Sequence, residues 1–144
     1  TNRYIYKQSH ITRDEIGAEN EHMIVPLRML MDKGIKLGLG TDNVPTTLFY
    51  PIWQTVSRHN MHINAPVGLG QRLSREDALR CATIGGAYLT FEEDQKGSIE
   101  DGKLADLAVL TDDPLTCPED DLKDIMAETT IVDGRIVYQR DNVA

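Results

Sequence analysis

The short apolar run Ile35 to Leu39 ends in Gly40-Thr41-Asp42-Asn43, and no other stretch constrains the fold as tightly. Met23, Ile24, Leu27, Leu30 and Met31 before it recur at helical spacing. Pro26 suits a first turn and Gly34 a C-terminal stop, so the pattern predicts helix, then strand, the repeating step of an α/β fold. Asp42 then stands where the strand gives way to a loop, the place where parallel α/β folds keep their chemistry. A carboxylate after a strand also serves as a turn former or helix cap, here through an Asx-turn to Val44.

Further along, Pro51 to Asn60 reads as a helix with Ile52, Val56 and His59 on one face. Met61 to Leu73 lacks helical period and forms a loop long enough to cover a site, as Asn43 to Tyr50 does before it. Ser74 with Asp77 three residues on starts a helix over Arg75 to Ile84, which Gly85-Gly86 interrupts. After the charged connector Glu92 to Lys96 the period becomes two. Leu104 to Leu110 is a strand, and Thr130 to Val137 a hairpin about Asp133-Gly134, with Ile131 facing Ile136 and Thr130 facing Val137. Asp112 to Asp124 is acidic, holds two prolines and reads as a surface loop with a short helical turn, and Thr1 to Asn20 as an irregular lead-in.

At 144 residues the chain supports one modest core and is too short for a whole (β/α)8 barrel, which takes about 250. A net charge of −8 disfavours nucleic acid and anionic membrane as partners. Cys81 and Cys117 match no metal or redox spacing and read as small buried thiols. No apolar run nears the roughly 20 residues of a membrane span, and the profile is that of a cytoplasmic enzyme.

Four segments in order, Gly40-Thr41-Asp42, Leu73 to Leu79, Gly97-Ser98-Ile99-Glu100-Asp101-Gly102-Lys103-Leu104-Ala105-Asp106, and Thr130 to Tyr138, resemble the C-terminal part of the amidohydrolase superfamily. The likeness is to the branch that cleaves amide or formamide bonds in small molecules. It runs from about Pro26 to Tyr138, and Gly102-Lys103-Leu104-Ala105-Asp106 is its most specific part. The resemblance implies an α/β fold: residues 1–96 as the C-terminal portion of a (β/α)8 barrel, and residues 97–144 as strands of a small β-sandwich built from both chain ends. It also implies a His-x-His pair, a Lys or Glu and two further histidines from earlier strands, with an Asp from the last strand. Only that Asp, Asp42, has a counterpart here, and the chain opens on Thr1 without an initiator Met. The expectation is therefore a C-terminal piece of a longer enzyme, whose partners are a small-molecule substrate, the missing part of its own barrel and a second copy.

On this resemblance Asp42 ligates a divalent metal, zinc by preference, through one carboxylate oxygen and acts as general base through the other. Thr41, Asn43, Arg58 and His59 would line the substrate, and the piece alone would be inactive and hold no metal. His59-Asn60-Met61-His62 lacks the Glu of a zincin helix and reads as one core-facing and one helix-end histidine, and His10 and His22 as surface residues. Asp106, Gly97 and Gly102 are assigned to turns. The rival reading is a non-catalytic β-rich binding or assembly module that keeps the fold without the chemistry.

Overall fold

The computed structural model describes residues 2–42 and 47–140. The lead-in is helical rather than irregular: a π-helical turn, Asn2–Lys7, runs into α1, Ser9–Ile16, and a 3-10 turn, Ala18–Met23. The reason is burial, since Ile5 and Ser9 are wholly enclosed and Asn60 donates to both the Ile5 carbonyl, at 3.1 Å, and the Ser9 hydroxyl, at 3.0 Å. Next come α2, Leu27–Asp32, and α3, Phe49–Ser57. The predicted helix beginning at Met23 starts at Leu27 instead, with Pro26 outside its first turn. Its predicted stop is observed: the Gly34 and Ile35 amides donate to Met31 and Leu30, closing the end of α2.

Ile35 to Gly40, expected to be a strand, has no regular secondary structure and joins no ladder among the described residues. It lies instead over the helix pair α4, Arg75–Ala82, and α5, Ile84–Leu89, with the Leu39 amide donating 3.0 Å to the Cys81 carbonyl. Leu37 and Leu39 pack against the core, while Ile35 faces outward. Gly85-Gly86, expected to interrupt a helix, lies inside α5, and the break falls at Thr83. Close approach explains the glycine: a Cβ on Gly85 would overlap the Leu37 carbonyl oxygen and lie 3.2 Å from that of Arg80. Ser74 caps α4 as expected, accepting from the Asp77 amide at 3.1 Å.

His59 and Asn60 form a two-residue strand, β1, His59–Asn60, paired with β2, Ala65–Pro66, and not the last turn of α3. Three further strands, β3, Leu107–Leu110, β4, Ala127–Val132, and β5, Arg135–Gln139, make an antiparallel sheet in the order β3-β4-β5. β3 starts at Leu107, later than the sequence implied. The hairpin turn is as expected, with φ of +49° at Asp133 and +72° at Gly134, the pair of positive values a type I′ turn needs. Ile131 faces Ile136, but a register shift between Thr130 and Ile131 puts Thr130 opposite Tyr138 rather than Val137.

The core is formed by α3, which is buried from Pro51 to Ser57, together with Leu27, Leu73, Ala78 and Cys81. Its other wall is the acidic stretch expected to be a surface loop with a short helical turn; the turn is present, but it is packed on the core. There the 3-10 turn Glu119–Asp124 and its flanks bury Cys117, Leu122 and Ile125 on α3. Burying Leu122 and Ile125, at about 1.5–3 kcal/mol each, offsets part of the cost of ordering this polar stretch. Lys123 adds its ammonium over the Trp53 ring, 5.2 Å from the centre.

Two predictions follow from this packing. Gly85→Ala is expected to destabilise the protein by about 2–3 kcal/mol, because the obstruction is backbone and cannot rotate away; a denaturant midpoint unchanged from wild type would contradict the contact. Asp77 receives the Arg28 guanidinium at 2.7 Å, and that hydrogen bond holds its carboxyl below the ordinary 3.8. A depressed carboxylate stabilises the fold above its unfolded pKa and loses that contribution as pH falls through its folded one. Stability is therefore expected to drop below about pH 4, and Asp77→Asn, costing about 1 kcal/mol at pH 7, to flatten that part of the pH–stability curve measured by urea titration.

Candidate functional site

Asp42 ends the apolar segment in a left-handed conformation, φ +52°, with its side chain in solvent. Aspartate adopts this region more readily than most residues because its short carboxylate bonds locally. The apolar contacts of Leu37 and Leu39 and the Leu39-to-Cys81 hydrogen bond hold the segment to the α4–α5 pair, so the carboxylate is presented at the end of an anchored strip. Thr41 beside it is half-buried. Asn43 and the Val44 amide of the alternative Asx-turn lie outside the described residues.

Arg58 departs from the expectation of a substrate contact. It is fully buried, closes α3 in a left-handed conformation at φ +57°, and points its guanidinium at three backbone carbonyls. Nε donates to Val67 at 3.0 Å, one terminal nitrogen to Val25 at 2.9 Å and the other to Ile24. Burial lowers its pKa to about 10, with Glu21 partly opposing the shift, so it stays charged at neutral pH. Only a planar fork of donors spans three such acceptors. Nothing in the sequence around Arg58 distinguished this role, since its partners lie 9 to 34 residues away.

His59 is half-buried with its ring 6.2 Å from that of Tyr6 and 5.9 Å from that of Trp53. Tyr50 joins the same cluster, 5.6 Å from Tyr6 and 5.4 Å from Trp53 in edge contacts, and burial raises its phenol pKa. This aromatic group was not anticipated, because Tyr6 belongs to a stretch without apolar period. Asp106 has the turn role assigned to it: its carboxylate accepts from the Asp133 amide at 2.9 Å, while the Ala105 carbonyl accepts from Gly134 at 3.2 Å. Together they pin the start of β3 to the β4–β5 turn.

An apolar cleft of about 670 Å³ opens between the helices and the sheet, lined by Phe49 and Ile52 of α3, Leu79 and Ala87 of α4 and α5, and Leu107 and Leu110 of β3. Thr41, Asp42, Arg58 and His59 do not line it. Among the described residues no three His, Cys, Asp or Glu side chains group closely enough to hold a metal ion, so these residues alone do not fit a catalytic divalent cation. No described helix is long and apolar enough to cross a membrane.

Comparison with known proteins places this geometry. The amidohydrolase family profile matches residues 3–138, and the chain belongs to that family. It is 34% identical over 128 residues to the N-substituted formamide deformylase of Arthrobacter pascens, covering 86% of this chain and 23% of that one. It is 36% identical over 87 residues to the imidazolonepropionase of Micrococcus luteus, covering 60% of this chain and 20% of the relative. Among solved structures, E. coli guanine deaminase superposes with a TM-score of 0.58 at 26% identity, over 84% of this chain and 32% of that one. The chain thus spans about a fifth to a third of the relatives it matches, and its mixed helix-and-sheet architecture is a partial amidohydrolase fold.

Arg58 generates the prediction here. Replacing it by Met strands three buried carbonyls, and replacing it by Lys reaches fewer of them, so Arg58→Met is expected to cost about 3 kcal/mol or more and Arg58→Lys a large part of that. Thermal melts of both variants check it; a Lys variant as stable as wild type would mean that charge rather than fork geometry matters.

Proposed function

We propose that this chain is the C-terminal part of a metal-dependent hydrolase that cleaves non-peptide C–N bonds in small molecules, with Asp42 as the carboxylate it contributes to the reaction. The observation that carries the proposal is Asp42 itself, an exposed carboxylate at the end of an anchored apolar strip in a chain that matches the amidohydrolase family almost from end to end. The names of two relatives, an N-substituted formamide deformylase and a guanine deaminase, support a reaction in which a carbon and a nitrogen are parted.

In this reading Asp42 takes a proton from the attacking water as its oxygen bonds to the substrate's carbon. The resulting tetrahedral adduct collapses, the C–N bond breaks, and Asp42 returns the proton to the departing nitrogen. A divalent metal, zinc by preference, would supply Lewis-acid activation of water, with Asp42 as one ligand and the others from the remainder of the parent polypeptide. Thr41 and Asn43 flank the reacting carboxylate. The exposed apolar residues Val109, Ile136 and Val137 support the view that the three-stranded sheet is one part of a sandwich that further polypeptide completes.

The test is Asp42→Asn in the parent enzyme. The amide keeps the shape and cannot accept a proton as the carboxylate does, so kcat is expected to fall by about 10²–10⁴-fold or more with the melting temperature nearly unchanged. Turnover within a few-fold of wild type would make Asp42 a turn residue, and would favour the non-catalytic module.

A further inference from the structure

His10 on α1 and His62 in the β1–β2 turn are 52 residues apart in sequence, yet their rings lie 4.7 Å apart, centre to centre, with their planes at 44°. Two imidazoles sharing one zinc at Zn–N distances of about 2.0–2.1 Å have ring centres about 5 Å apart when the N–metal–N angle is near 100°. A simple aromatic contact would also allow this separation. Two further observations favour a ligand pair. Nδ1 of His10 is buried and has no hydrogen-bond partner among the described residues, which ring packing does not remedy. The segments that carry the two rings are also joined by one side chain, the fully buried Asn60. Its Nδ2 donates 3.0 Å to the hydroxyl of Ser9, the residue before His10, and its Oδ1 accepts the His62 amide at 3.0 Å. Met61, next to His62, donates its amide 2.9 Å to the Tyr6 carbonyl. The two rings therefore stand on a preassembled support rather than on independent loops.

We propose that His10 and His62 form a two-imidazole site for a borderline divalent transition metal such as Ni²⁺, Cu²⁺ or Zn²⁺, separate from the reaction that involves Asp42. Imidazole nitrogen selects these ions over Mg²⁺ and Ca²⁺. No third His, Cys, Asp or Glu joins the pair among the described residues, so water completes the shell, and the site is open and of modest affinity. A cation here would clip α1 to the β1–β2 turn, reinforcing the junction that Asn60 and the Met61 amide make.

The experiment is Ni²⁺ titration by calorimetry on the parent protein with its reaction metal already bound, wild type against His10→Gln, His62→Gln and His22→Gln. One binding event is expected in wild type and in His22→Gln, and at least a tenfold loss of affinity in the other two. Binding is also expected to weaken on acidification, as imidazole ligation requires the neutral ring. His62 is exposed and its tether to Asn60 is through the backbone, so His62→Gln keeps the fold; circular dichroism checks this for each variant. Independently of any loss of fold at His10, the electron paramagnetic resonance spectrum of bound Cu²⁺, taken as the difference between wild type and His62→Gln, is expected to show coupling to two ring nitrogens. Isotherms unchanged by both substitutions, or a difference spectrum without that coupling, would overturn the proposal.

Discussion

The arrangement of the first half of the molecule depends on one buried cation. Arg58 closes α3, and its guanidinium reaches back to the carbonyls of Ile24 and Val25, just ahead of α2, and forward to Val67 beyond the β1–β2 turn. A charge out of water costs several kcal/mol unless its donors are satisfied, so the guanidinium demands that those three carbonyls converge. Neutral acceptors in place of a carboxylate partner explain why burial pulls its pKa down to about 10 while leaving it charged at neutral pH. By gathering the turn that leads into α2 and the loop after β2 at the end of α3, Arg58 fixes where Leu27 and Leu73 meet Ile52 and Val56 in the core.

On the other side of that core, shape rather than charge decides the packing. The strip Ile35 to Gly40 reaches the α4–α5 pair because Gly85 has no side chain to keep it away and because Leu39 finds an acceptor at Cys81. Asp42 is carried at the end of this strip. In a parallel sheet the same strip would be held by a ladder on each edge, and here a helix pair and two leucines hold one side of it. That difference accounts for a segment whose apolar sequence is strand-like and whose hydrogen bonding is not.

The second half is tied to the first through α3 and α4, where Arg75 donates 2.9 Å to the Pro114 carbonyl, and is braced within itself at the start of β3. The 3-10 turn Glu119–Asp124 sits on α3 through Leu122 and Ile125, and Asp106 with Ala105 locks the start of β3 to the Asp133-Gly134 turn. Between these ties the sheet leaves Val109, Ile136 and Val137 in solvent and the apolar cleft open beside β3. The chain spans 23% of the formamide deformylase it matches, and this apolar surface is carried mainly on β3 and β5.

Local chemistry was legible in the sequence wherever a few neighbouring residues settle the outcome: Ser74 capping α4, Gly34 closing α2, the Asp133-Gly134 turn, and Asp106 as a turn acceptor. Family membership was legible too, because it rests on ordered motifs. Long-range contacts were not. Whether Ile35 to Leu39 would find a ladder, whether Arg58 would face a ligand or three carbonyls, and whether Leu122 would turn an acidic loop into a wall of the core all depended on partners distant in sequence. The register of Thr130 against Tyr138 depended on a single extra residue in the ladder, and the meeting of His10 with His62 on an amide that joins segments 51 residues apart. Periodicity and capping are local energies and can be read along the chain; burial and convergence are properties of the folded whole, and only the tertiary structure decided them.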